Sequence, residues 1–308
     1  MHLTIVTTLY RSVPYIYEFY QRMSNAASKV TKDYEIVFIN DGSDDESLEK
    51  AVEIHRNDHK VKVVDLSRNF GHHKAIMAGL SQAKGENIFL IDCDLEEDPE
   101  LLEVLYMKFN EAEDADVVYG IQKSRKGGFV EKKGGELFYK LFNRLSGLSL
   151  QQNPLTIRIM TRRYVNALLA HEEEELFLAG LFEITGFKQI PIEVNKKNRQ
   201  GSTYTFKNRL RMLTRGITSF SSFPLLVSFY IGAAISITSF LFMVYLLINK
   251  IIYNEGIIVG WTSVMISIWF LGGVILLSCG MIGIYLSRVY YEVKRRPNYI
   301  IRKVYEDV

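Results

Sequence analysis

Two carboxylates one residue apart, Asp92 and Asp94 in IDCDLEEDPE, offer the most chemistry in this 308-residue sequence. If the apolar run before them is a strand, its two-residue alternation aims both side chains to one side. Carboxylates so close repel each other unless a cation or hydrogen-bond donors compensate. A hard divalent ion that takes oxygen ligands and bridges to phosphate oxygens relieves the repulsion, with Glu96 as a further ligand. A solvated acidic turn capping the helix that begins near Pro99 fits the same residues. In NDGSDD, Asn40 to Asp45, Asp41 can accept from a base N–H or a ribose hydroxyl, and Gly42 permits a tight turn. An Asx turn leading into a helix fits equally well. In SRNFGHHKA, Ser67 to Ala75, Arg68 and Lys74 can pair with phosphate. Gly71 allows close backbone approach there, and His72 or His73 can cap a helix or touch a ligand.

These clusters need a scaffold, and the chain alternates strand and helix. LTIVTTLY, YEIVFIND, VKVVDLS, ENIFLIDCD and ADVVYGIQ are short apolar runs rich in β-branched residues. Helical patterns fall between them, around Val13 to Ala27, Ser47 to His55, His73 to Ala83 and Pro99 to Ala112, the last opening on Pro in its first turn. Such alternation predicts a mostly parallel sheet with helices on both faces. In open sheets of this kind ligands bind at the carboxyl ends of the strands. Thr8 to Ser12, Asp41 to Asp45, Asp65 to Asn69 and Asp92 to Asp98 all fall at such ends. The acidic run Glu172 to Glu175 reads as a solvated helix face.

The rest of the chain is different material. Gly216 to Asn249 and Gly256 to Ser287 contain no Asp, Glu, Lys or Arg. Each exceeds the roughly 20 residues a helix needs to cross a bilayer core, and a short loop, Lys250 to Glu255, joins them into a hairpin. Basic residues from Lys196 to Arg215 precede the first span, and Arg288, Lys294, Arg295, Arg296, Arg302 and Lys303 follow the second. That asymmetry predicts cytoplasmic termini. MHLTIVTTLYR has no basic leader and reads as a strand from almost its first residue. Gly272-Gly273 and Gly280…Gly283 would permit close helix packing, including between copies of the chain in a homo-oligomer. Net charge is +2 and gives no reason to expect nucleic acid as a partner. Cys93 and Cys279 are the only cysteines, which excludes a disulfide framework and fits a reduced compartment for the part bearing Cys93.

Taken together and in this order, the motifs resemble those of family 2 glycosyltransferases of the GT-A fold. More narrowly, they look like the polyprenyl-phosphate branch, which includes dolichol-phosphate mannose synthases and bacterial undecaprenyl-phosphate glucosyltransferases. The segments that carry the resemblance are TLYRSVPYI, NDGSDD, LSRNFGHHKAIMAGL, DCDLEEDPE, VVYG, FYKLFNRLSG, IRIMTRR and GLFEITGF. The resemblance implies a GT-A α/β catalytic domain at 1–203, an amphipathic juxtamembrane helix at 204–222, a two-helix transmembrane hairpin at 223–287 and a cytosolic basic tail at 288–308. It implies a nucleotide-sugar site made by Thr8, Leu9, Tyr10, Arg11, Asp41, Ser43, Arg68, Lys74, Asp92, Cys93 and Asp94. A divalent metal, Mn²⁺ or Mg²⁺, would sit on Asp94 and Glu96. Asp94 and Arg158 would be the catalytic pair, with Arg125, Arg158 and Arg199 facing the acceptor phosphate. Phe129 to Gly147 matches a mobile acceptor segment next to the membrane.

Four positions depart from the family pattern. Thr156-Ile157-Arg158 stands where a D-F-R motif supplies a proposed base. Gln122 replaces an Arg, although Arg125 follows. Gly201-Ser202-Thr203-Tyr204-Thr205 lacks the Lys of G-E-S-K-Y, and Glu96 replaces a Gln. A hydroxyl nucleophile needs a proton acceptor. A phosphate monoester, with a second pKa of about 6, does not. The missing acid and the hairpin therefore both favour a lipid phosphate as nucleophile. The other losses fit phosphate clamping shifted to Arg158, Arg125, Arg199 or Lys207, and they fit a different sugar equally well. The expected activity is inverting transfer of one sugar from a nucleotide diphosphate sugar, UDP-linked, to undecaprenyl phosphate at the cytoplasmic face of the plasma membrane, by a multi-pass enzyme. The alternatives are transfer to a hydroxyl of a lipid-linked saccharide, or nucleotide-sugar binding without catalysis.

Overall fold

The computed structural model describes residues 1–112, 114–122, 143, 151, 154–174, 176–195, 223–253 and 260–307. Its centre is an eight-stranded sheet built from β1 (Leu3–Leu9), β2 (Tyr34–Asn40), β3 (Val61–Leu66), β4 (Asn87–Leu90), β5 (Val117–Gln122), β6 (Pro154–Thr161), β7 (Gln189–Val194) and β8 (Ile301–Tyr305). The strand order is β7-β5-β6-β4-β1-β2-β3-β8. β1 pairs in parallel with β2 and β4, β2 with β3, and β5 with β7. β6 runs antiparallel between β4 and β5, and β8 runs antiparallel beside β3.

The first three strands are buried almost throughout, as apolar runs covered on both faces must be. One face carries α1 (Ile16–Val30), α2 (Ser47–Asn57) and α4 (Leu101–Glu111), packed over Leu3, Ile5, Phe38, Phe89, Ile157 and their neighbours. The other carries α3 (His72–Gln82), α5 (Arg162–Leu169) and α6 (Leu178–Ile184), over Val6, Ile39, Leu90, Tyr119 and Met160. α1 starts at Ile16, three residues later than the pattern suggests. Val13 to Tyr15 form a turn before it, in which the Ser12 carbonyl accepts from the Tyr15 and Ile16 N–H groups at 2.9 and 3.3 Å.

Two long apolar helices follow, α7 (Phe223–Tyr253) and α8 (Trp261–Lys294). α7 runs through Lys250 to Tyr253, which the pattern assigned to the connecting loop. Among the described residues one helical segment, Phe270–Lys294, is long and apolar enough to cross a membrane, and Phe223–Ile235 is a shorter apolar one. The juxtamembrane helix expected at 204–222 lies outside the described residues.

Two further expectations need correcting. The acidic run is not a helix face: Glu172 to Glu174 lie in a loop between α5 and α6. Glu174 faces Lys74 on α3, and its N–H donates to Glu292 near the end of α8. Nor is 288–308 a separate tail. α8 continues to Lys294, and Ile301–Tyr305 is the eighth strand of the central sheet.

Candidate active site

β1, β2 and β3 follow one another to one side, while β4 lies on the other side of β1. The connections leaving β1 and β4 therefore diverge, and a crevice opens at their carboxyl ends. His72, the first residue of α3, spans it. Its Nδ1 is 3.1 Å from Thr8 Oγ1 and its Nε2 is 3.5 Å from Asp92 Oδ1. Thr8 and Asp92, far apart in the chain, thus face one opening. His73 turns inward, its Nδ1 3.1 Å from the Leu176 carbonyl, and burial lowers its pKa.

The β1 and β2 ends form the second wall. Tyr10 is 47% exposed beside the Arg11 guanidinium, whose Nε and Nη2 donate to the two Asp44 carboxylate oxygens at 2.8 and 2.7 Å. That fork raises the Arg11 pKa and holds Asp44 below the ordinary carboxylate value. Arg11 has positive φ (52°), and its N–H donates to Ser43 Oγ, which in turn donates to Asp45. Leu9 points into the core, so only its backbone serves this wall: its carbonyl accepts from the Asp41 N–H at 3.0 Å.

Asp41 does not stand open to a ligand. It is buried, and its two carboxylate oxygens accept from the Phe70 and Gly71 N–H groups at 2.7 and 3.0 Å. Burial raises its pKa against the pull of those two bonds. Its first task is to pin the loop between β3 and α3. Gly42 packs against the same loop with φ 58°, where a Cβ would come within 2.3 Å of the Arg68 carbonyl carbon. Only glycine fits. Arg68 is left exposed, stacked over Phe70 at 4.2 Å. Lys74 is engaged by Glu174 at 3.2 Å rather than presented alone to a phosphate.

The acidic turn corrects the expectation of strand alternation. β4 ends at Leu90, so Asp92 and Asp94 project from the turn beyond it. Leu95, with φ 59°, bends that turn, and Asp94 Oδ1 accepts from the Glu96 N–H at 3.0 Å. Cys93 points into the core, and burial, followed by Asp94 and Asp92, pushes its thiol pKa up. Its side chain cannot meet a nucleotide. Glu97, which the sequence patterns did not single out, is buried instead.

Arg158 on β6 is 4% exposed. Its Nε donates to the Thr156 carbonyl at 3.1 Å and its Nη2 to the Leu155 carbonyl at 3.0 Å. The guanidinium lies 3.4 Å over the Phe182 ring. Burial lowers its pKa to about 10, opposed by Tyr164, Tyr119, Glu97 and Asp92. It lines a cavity of about 180 Å³ with His72, His73, Tyr119, Thr156 and Phe182. His72 belongs to both crevice and cavity, so the two adjoin. A buried cation at that junction draws anions. Tyr119 and Phe182 were also missed, because distant partners bring them here: Tyr119 is opposite Arg158 on β5, and Phe182 reaches the guanidinium from α6. Arg125, Arg199, Lys207 and most of Phe129 to Gly147 lie outside the described residues.

A model of the family described as glycosyl transferase family 2 matches residues 4–169. A protein of Mycobacterium tuberculosis named as a glycosyltransferase is 48% identical over 99% of this chain and 89% of its own length. The SfII prophage-derived bactoprenol glucosyl transferase of Shigella flexneri is 34% identical over 98% of each chain. Glucosyl-3-phosphoglycerate synthase from Mycobacterium tuberculosis shares the fold at TM-score 0.50 and 16% identity, over 72% of this chain and 81% of that one.

Proposed function

The chain belongs to glycosyl transferase family 2 and is a glycosyltransferase, and from that premise we propose that it moves one sugar from a nucleotide diphosphate sugar, UDP-linked, to a polyprenyl phosphate such as undecaprenyl phosphate. The observation that carries this reading is the similarity to a bactoprenol glucosyl transferase along nearly the whole of both chains, apolar helices included. The site agrees with it. A buried guanidinium borders the crevice, and Thr156 stands where a hydroxyl acceptor would need a base.

In this mechanism Thr8, Tyr10, Arg11 and Ser43 hold the nucleoside at the β1–β2 edge, with Arg68 beside them. Asp41 shapes that pocket by fixing the Phe70–Gly71 backbone. Asp92 and His72 face the ribose and sugar. Arg158 holds the acceptor phosphate, with Arg125 and Arg199 as further candidates. One of its oxygens attacks the anomeric carbon from the face opposite the diphosphate. The bond to the diphosphate oxygen breaks, the nucleoside diphosphate leaves with the electron pair, and the anomeric centre inverts. No proton has to move, because a phosphate monoester is largely dianionic near neutral pH.

Asp94 and Glu96 suit a hard divalent ion such as Mn²⁺ or Mg²⁺. Both are carboxylates, and the Glu96 N–H to Asp94 bond holds them on one turn. Among the described residues no three acidic, histidine or cysteine side chains converge, so substrate oxygens and water would complete the shell. When bound, the ion offsets charge developing on the leaving diphosphate. The membrane part of the reading takes 204–222 as a surface helix and 223–287 as two crossings, with the catalytic domain made of 1–203 together with the returning strand β8. Both termini lie at the cytoplasmic leaflet of the plasma membrane.

The test is to incubate the purified full-length protein with labelled UDP-, GDP- and dTDP-sugars, a short prenyl monophosphate, and Mn²⁺ or Mg²⁺. A labelled organic-extractable product is expected with one donor. None with any donor overturns the reading, and product only on a prenyl-linked saccharide moves it to hydroxyl transfer. Asp94→Ala should lower transfer ~100-fold or more, the scale of losing several kcal/mol of charge stabilisation, with membrane insertion unchanged. Wild-type turnover in that variant would remove the metal role.

A further inference from the structure

After α8 the chain turns at Arg295, in the left-handed region at φ 46° and ψ 42°, and comes back to the sheet. β8 then pairs with β3, Val64 opposite Val304 and Asp65 opposite Lys303, with a register shift between Asp65 and Leu66. At this irregular point two residues of the returning segment grip the end of β3. The Ile300 carbonyl accepts from the Ser67 N–H at 2.9 Å. The Arg302 guanidinium donates to the Ser67 carbonyl and lies 3.5 Å from Asp65 Oδ2. Asp65 is 2% exposed, and its Oδ1 accepts from Asn40 Nδ2 at 2.8 Å. Asn40 Oδ1 in turn accepts from the Ser43 N–H at 3.3 Å.

Both ends of this relay are parts of the donor wall. Ser67 precedes Arg68 and Asn69, whose backbone lies against Gly42. The loop they begin is otherwise tied by Asp41 at Phe70 and Gly71. The β2 end is reached through Asp65 and Asn40. A buried carboxylate needs a charged or hydrogen-bonding partner, and here the cation comes from beyond the last apolar helix. Arg302 reaches both a carboxylate and a carbonyl with one planar fork, which a point charge does less well.

We propose that Arg302 is a positioning residue for the nucleotide donor: with Asp65 and Asn40 it sets the distance between the β2 and β3 ends, so the segment after the membrane helices completes the donor pocket. The inference rests on the nucleotide-sugar reading given above. It assigns no contact between Arg302 and substrate. Its mark is therefore selective, weakening the donor and sparing the acceptor.

The experiment uses the full-length protein in nanodiscs, as wild type, Arg302→Gln and Arg302→Lys. UDP and GDP are titrated, and KM values are measured for sugar donor and prenyl monophosphate. Arg302→Gln should weaken nucleotide binding and raise the donor KM by about 3- to 10-fold, the scale of coupling within one hydrogen-bond network. Acceptor KM and the unfolding midpoint should stay near wild type. Arg302→Lys should recover part of the loss. Amide exchange at residues 67–71 should quicken in Arg302→Gln, with residues 92–97 unchanged. Unaltered nucleotide binding in Arg302→Gln, with a wild type that binds, overturns this inference alone. Equal weakening of donor and acceptor together with a lowered midpoint also overturns it, since that marks a purely structural role. A wild type that binds neither nucleotide overturns it together with the donor reading.

Discussion

At the scale of single residues, the decisive contrast is between Arg158 and Thr156, two positions apart on β6 and lining the same cavity. Arg158 stays charged despite burial because two carbonyls and the Phe182 ring face it. Its charge is useful only while no protein carboxylate neutralises it. Thr156→Asp would place an acid beside it and create an internal ion pair that competes with an incoming phosphate. Transfer to prenyl phosphate should fall by about 10-fold, equivalent to ~1.4 kcal/mol of lost phosphate attraction. A kinetic comparison on one prenyl phosphate decides it, and faster transfer would mean a base was needed after all. Residue types told much of this in advance, since the D-x-D, N-D-G-S-D-D and R-N-F-G-H-H segments do meet at one crevice. Orientation was not legible. Cys93 and Leu9 sit inside site motifs yet point into the core, and Asp41 spends both oxygens on the backbone. Glu97 looks like one more acid in a run, and only the bend at Leu95 accompanies its burial.

At the scale of elements, local patterns found the strands that are continuous apolar runs and missed facts that depend on distant partners. β6 runs antiparallel between β4 and β5, a pairing set by packing across the sheet. β8 is harder still. IRKVY carries two adjacent charged residues between apolar ones, as an edge strand can, but nothing local says it will return to β3. What holds it there includes Glu306, bonded to Lys62 at 2.8 Å and to Lys84 at 3.1 Å. Those two lysines lower the Glu306 pKa from its ordinary 4.5. For an acid with a lowered folded-state pKa, the contribution to stability is full above 4.5 and is lost as pH falls through the lowered value. Glu306 is 41% exposed, so the contribution is small, at most about 1 kcal/mol. The unfolding midpoint of wild type should exceed that of Glu306→Gln at pH 7. The gap should close as pH drops below 4.5. A gap that persists at pH 3 would show that these ion pairs do not secure the strand.

For the whole molecule, the docking of β8 constrains how the chain can meet a membrane. The first seven strands precede α7 and the eighth follows α8, yet all belong to one sheet. If these helices enter a bilayer, as proposed above, they must leave and return on the same side of it. α8 is 34 residues long, about 51 Å at 1.5 Å per residue. That exceeds the ~30 Å hydrocarbon core and leaves its last turns to reach the catalytic domain. There Glu292 accepts from the Glu174 N–H and Asn298 donates to the Glu173 carbonyl. Leu276 is 74% exposed and Leu277, Ile275 and Ile282 are exposed beside it, a surface that suits lipid better than water. On the proposed membrane reading, if Phe270–Lys294 crosses, the shared sheet requires α7 to cross as well. Glu255→Cys and Val308→Cys, each in a Cys279→Ser background, test this with a membrane-impermeant maleimide on right-side-out membrane vesicles. Labelling is expected at position 255 in sealed vesicles and at position 308 only after permeabilisation. Labelling at 308 in sealed vesicles would contradict the proposed cytoplasmic side for the sheet that holds β8. Labelling at both positions only after permeabilisation would mean that the helices lie along the membrane rather than through it.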